Sequence, residues 1–85
     1  MSSGLIFLTR DLREEFRRQV RAALAMSAQE DREGALGEAR LDVHVALAVR
    51  MGDEAARSAA PQIDHVLDRW LLLERKAVST QRTRR

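Results

Sequence analysis

Cysteine and tyrosine are absent from these 85 residues, proline occurs once, and the aromatic side chains are two Phe and one Trp. Without cysteine there is no disulfide, no thiolate nucleophile and no thiolate metal ligand. Uninterrupted apolar runs such as 5–8 and 70–73 are far short of the ~20 residues a bilayer span requires. The opening residues lack the basic start of a secretory leader, and Thr9, Arg10 and Asp11 cut the apolar stretch short. No membrane segment is expected, and the cytoplasm is the expected compartment. β-Branched residues nowhere alternate over a useful length, which removes the usual sign of a half-buried strand.

What remains is Ala, Leu, Arg and Glu, all good helix formers. A chain this short makes one domain and buries only about 60–65% of the surface that its unfolded form exposes. Small domains without covalent or metal staples often gain stability by oligomerising. Arginine outnumbers lysine fourteen to one, and the formal net charge of +2 is unevenly placed. Residues 1–74 hold thirteen acidic and ten basic side chains, a balance of −3, whereas 75–85 carry five basic and no acidic ones. An acidic body with a basic tail describes the chain better than its average.

Three helices are predicted. In the first, Leu5, Leu8, Leu12, Phe16, Val20, Ala23 and Leu24 fill one arc at helical spacing. Two starts compete. Ser3 as cap makes the helix absorb residues 5–8, and Asp11 with Glu14 as a capping box begins it later. The longer helix is favoured, because Leu5 and Leu8 fit the buried arc. The second helix is expected to start at Ser27, with Glu30 completing a capping box, and to stop at Gly52 after Met51. Gly34 and Gly37 each cost about 1 kcal/mol against Ala, so fraying or a break is expected there.

Residues 53–60 read as a short helical piece, with a kink or break at 58–61 imposed by Pro61. The last helix then runs to about Val78 through Ile63, Val66, Trp70, Leu73 and Ala77, spaced 3,4,3,4. The expected architecture is an all-α three-helix bundle over residues 1–78, with a short extra segment before Pro61 and a disordered basic tail at 79–85.

The middle helix is apolar on two sides. Leu36, Ala39, Ala46, Leu47 and Met51 gather around Val43, while Leu41, Val45, Ala48 and Val49 lie opposite. Such a helix should be buried on both sides. The other two helices could cover both faces within one chain. The favoured alternative is that the second face meets another copy, through Leu41, Val45, Ala48 and Val49, with Leu72 of the last helix as a further exposed leucine.

The polar pattern that stands out is Arg10, Arg13, Arg17 and Arg21, spaced 3,4,4 within roughly an 80° arc of the first helix. Guanidiniums at that pitch could follow phosphates or dock an acidic protein, with the basic tail adding to the footprint. A solvated face is the favoured reading, since Glu14 is within reach of Arg17 and Arg18, and Asp11 and Glu15 dilute the field. Glu74 falls inside the apolar arc of the last helix. If buried it needs a cation, and the first-helix arginines are the candidates.

His44 and His65 lie on different helices, and no HxxxH or HExxH pattern suggests a metal. His44 sits between the two apolar faces and is read as a satisfied core or interface residue, His65 as exposed. No glycine-rich phosphate loop, nucleophile elbow or calcium loop is present. No enzyme activity, cofactor, metal or small-molecule substrate is therefore expected.

The order of a short apolar stretch (5–9), a charged helix and a second helix resembles ribbon-helix-helix DNA-binding proteins, which pair one strand per chain in a dimer. Leu-Ile-Phe-Leu does not alternate, however, and the polar residues that would read bases are missing. In size and composition the chain is similar to the small arginine-rich helical proteins found among phage inhibitors, antitoxins and anti-sigma-type regulators. The resulting expectation is a non-enzymatic, self-associating interaction module that binds or regulates a protein partner. A nucleic-acid-binding regulator is the alternative.

Overall fold

A computed structural model describes residues 8–83. They form α1 (Arg10–Leu24), α2 (Gln29–Met51) and α3 (Asp53–Thr83), packed together, with no strand among the described residues. The extended backbone of Thr9 (φ −72°, ψ 167°) starts α1, and its hydroxyl accepts the Leu12 N–H at 3.4 Å. That hydroxyl satisfies one of the donors a first turn leaves open. The favoured longer helix is thereby corrected, and Asp11 lies in the first turn without serving as the cap. Leu8 still packs against the core from outside the helix. Ser3 and Leu5 lie outside the described residues.

Residues 25–28 turn the chain into α2. Ala28 is the N-cap and no side chain caps this end, so the capping box of Ser27 with Glu30 is not formed. Starting the helix after Ala28 leaves Ser27 one position too early to cap it. Glu30 and Asp31 still occupy the first turn, where negative charge favours the helix dipole. The helix passes unbroken through Gly34 and Gly37. Both belong to the solvent side, while Ala39, Val43 and Leu47 are buried on the other. Burial along one face outweighs two weak residues on the opposite face.

Gly52 alone connects α2 to α3. Its N–H donates to Ala48 O at 2.9 Å and its carbonyl accepts from Ala56 N at 2.9 Å, so it ends one helix and begins the next. Its φ of 93° is a conformation that L side chains rarely adopt. The expected break at 58–61 is absent, and α3 continues through Pro61. Buried Ala56 and Ala59 precede the proline, and buried Ile63 and Leu67 follow it, so both halves are anchored to the same core. Nor does the helix end near Val78, since the stretch 79–83 assigned to a disordered tail extends it to Thr83.

The core joins Phe16 and Val20 of α1, Ala39, Val43 and Leu47 of α2, and Ala59, Ile63 and Leu67 of α3. Leu12, Leu24, Leu36, Met51, Trp70 and Leu71 pack around it. Phe16 meets Trp70 with ring centroids 6.0 Å apart, while Arg50 at the end of α2 donates to Thr9 at the start of α1. Thus α1 and α3 run in one sense and α2 in the other. Among the described residues, no helix is long and apolar enough to cross a membrane.

Candidate interaction surface

The two apolar sides of α2 meet different fates. Ala39, Val43 and Leu47 are buried between α1 and α3. On the opposite side Leu41 is 60% exposed, Val45 53% and Val49 81%, with Ala48 half-buried beside them. The described residues therefore do not cover both faces. Three helices can enclose a single interior only, and a face turned 180° from it stays in water. Gly34 and Gly37 continue this face toward the N-terminal end of α2, and a Cβ built on either would meet nothing within 4 Å. Leu72 is 54% exposed, but it lies on the outer side of α3 and does not join the α2 stripe. Leu73, placed in the buried arc by its spacing, is 52% exposed because it falls at the margin of that arc.

Arg10, Arg13 and Arg17 of the α1 stripe are exposed and Arg21 is half-buried, yet three of the four reach groups of α3. The Arg13 guanidinium stands over the Trp70 ring, 5.5 Å from its centroid. Arg21 Nε donates to Glu74 Oε1 at 2.6 Å, and Arg17 Nε lies 3.6 Å from the same oxygen. The Glu74 side chain is only 15% exposed. A carboxylate withdrawn from water needs such partners to remain ionised at little penalty. Arg17 also pairs with Glu14 at 3.5 Å, and Arg10 is exposed. The guanidiniums at 13, 17 and 21 thus fasten α1 to α3. On the outer flank Glu15 binds Arg18 and accepts from Gln19 Nε2 at 3.0 Å. Gln19 first, then Arg18, hold the Glu15 carboxyl below its ordinary value of 4.5.

A second clasp, between α2 and α3, was not legible as a site. His44 Nε2 lies 2.7 Å from Asp64 Oδ1, Arg40 reaches the same oxygen at 3.4 Å, and Arg40 also pairs with Asp68. The signal available in the sequence was the 64, 68 spacing of two aspartates on one α3 face and the 40, 44 spacing of two cationic or titratable residues on α2. The register that brings them together is a tertiary property. His65 is exposed. Among the described residues, no three His, Asp or Glu side chains converge to hold a metal ion. A groove of about 400 Å³ is lined by Leu24 at the end of α1, by Arg32, Glu33 and Leu36 of α2, and by Arg75 and Val78 of α3.

No family model, curated protein sequence or solved structure matches this chain. The functional reading therefore rests on the surface itself. Its two distinctive features are an apolar stripe that nothing among the described residues covers and the contacts of Arg13, Arg17 and Arg21 with α3.

Proposed function

We propose that this chain is a non-enzymatic helical interaction module, a three-helix bundle that self-associates through the outer face of α2 and in that form engages a protein partner. The observation that carries the reading is the stripe of Leu41, Val45 and Val49, exposed on a helix whose other side is fully packed. Contiguous aliphatic side chains left in water on one helix favour burial against another surface. A second copy is the occupant best supported, because it is apolar on the same stripe and supplies the extra core that a chain of this size lacks.

The magnitude sets the concentration range. Exposures of 60%, 53% and 81% amount to about two whole aliphatic side chains per protomer. Burying them is worth roughly 3–6 kcal/mol per protomer and about twice that per dimer. Association itself costs about 4–15 kcal/mol in lost freedom. The remainder corresponds to dissociation in the micromolar range or weaker. Light scattering from roughly 1 to 500 μM should show the mass rising from monomer to dimer. Val45→Glu should give a folded monomer throughout, since Val45 is 53% exposed and takes no part in the core of the described residues. A parent chain that is monomeric at every concentration refutes the reading.

The competing reading is a nucleic-acid-binding regulator that uses Arg10, Arg13, Arg17, Arg21 and the basic C-terminal end. It has less support, because Arg17 and Arg21 already share Glu74 and Arg13 stands over Trp70, so phosphate would compete with these contacts. Binding to duplex or single-stranded DNA that falls steeply with salt would favour it.

A further inference from the structure

We infer that the two copies pack α2 against α2 in antiparallel sense, about a two-fold axis beside Leu41. This inference rests on the self-association proposed above and adds its geometry. Along the outer face of α2 the residues Gly34, Gly37, Leu41, Val45 and Ala48 are spaced 3,4,4,3, a pattern symmetric about Leu41. At 3.6 residues per turn they stay within a band about 80° wide. A two-fold contact pairs each residue with the one at the mirror position. Here Leu41 meets itself, Gly37 faces Val45 of the partner subunit, and Gly34 faces Ala48 of the partner subunit.

The glycines then acquire a reason. Each weakens the helix, and neither is required by packing within the chain, since an added Cβ meets nothing within 4 Å. Opposite a valine and an alanine, they leave the room those side chains occupy and let the backbones approach. Leu41 is also next to the midpoint of the helix Gln29–Met51, so this arrangement overlaps nearly all of α2, about 30 Å.

Charge favours the same sense. Glu30, Asp31, Glu33 and Glu38 crowd the N-terminal half of α2, with Arg32 as the basic residue among them, and Arg50 lies in the last turn. Antiparallel packing sets the acidic half of one helix beside the C-terminal half of the other. It also opposes the helix dipoles. Parallel packing would stack Glu38 on Glu38 and Asp42 on Asp42, bring the acidic ends together, and leave glycine facing glycine.

Because the chain contains no cysteine, single cysteines in the full chain report the geometry directly. Leu41→Cys should oxidise to a disulfide-linked dimer. Gly34→Cys alone should not, whereas an equimolar mixture of Gly34→Cys and Ala48→Cys should give the mixed disulfide, since bridging needs Cα atoms within about 7 Å. In a separate measurement Gly37→Leu should raise the dissociation constant at least about tenfold, while its thermal melt at monomeric concentration stays at or above that of the parent. A parent dimer in which Gly34→Cys links to itself, or one that Gly37→Leu leaves unweakened, overturns the antiparallel assignment and spares self-association. A parent that never dimerises removes both.

Discussion

Alanine at Gly52 and alanine at Gly34 or Gly37 should shift the stability of this chain in opposite directions. No added Cβ at any of the three meets an atom within 4 Å, so packing does not distinguish them. Backbone conformation does. Gly52 holds φ 93° and ψ 150°, a region that costs a residue with a side chain about 1–3 kcal/mol. Alanine also narrows the unfolded ensemble, which offsets roughly 0.4–1 kcal/mol of that. The expected net loss is about 1–2 kcal/mol, or a melting temperature lower by roughly 4–16 °C for a domain of this size. At Gly34 and Gly37, inside an ordinary α-helix, the same substitution should add up to about 1 kcal/mol each. Urea unfolding followed by circular dichroism, at concentrations low enough to keep the chain monomeric, measures all three with a common slope. A Gly52→Ala variant as stable as the parent would show that the one-residue link does not need this conformation. A Gly34→Ala variant that loses stability would show that α2 is not a continuous helix there.

Further consequences follow from the same contacts. Pro61 stands in the interior of α3 and deprives it of a backbone bond, so Pro61→Ala should stabilise the chain by about 1–3 kcal/mol, seen as a higher urea midpoint. No gain would mean that the helix is already relaxed around the proline. Glu74→Ala should cost about 1–3 kcal/mol, and a double-mutant cycle with Arg21→Ala should return a coupling of about 0.5–3 kcal/mol. Strict additivity would mean that the pair is not formed in solution. The Glu15 carboxyl should titrate below 4.5 by NMR and rise toward it in Gln19→Ala. Since its folded value is lowered, whatever stability this carboxylate adds is present above the ordinary carboxylate range and lost as pH falls through the lowered value.

Periodicity alone revealed a good part of this protein. The 3,4 spacing of Phe16, Val20 and Ala23 and of Ala39, Val43 and Leu47 singles out residues that are buried, because a helix presents the same face every 3.6 residues wherever it packs; on α3 the spacing caught buried Ile63 but also Leu73, which is exposed. Gly52 was legible as a stop because few other residues adopt its φ. Glu74 inside an apolar arc announced a cationic partner, and α1 supplies it through Arg21 and Arg17. Helix ends were less legible. Thr9, Asp11 and Ser27 all carry side chains able to cap, and which one does depends on where the chain turns. Pro61 and the glycines of α2 were weighed as local breakers. Local propensity is worth a few kcal/mol at most, however, and core residues on both sides of each position outweigh it.

Whether the second face of α2 would be covered could not be read from its composition, since a face apolar at helical spacing looks the same covered or bare. Only the packing of three helices around one interior left Leu41, Val45 and Val49 outside it. The arginines of α1 were read in the sequence as a solvated face, with phosphate as the alternative, and only the packing of α3 placed Trp70 and Glu74 beside them. In both cases the sequence set the pattern along each helix, and the rotation of each helix against its neighbours, a non-local quantity, decided which part of the pattern stayed exposed.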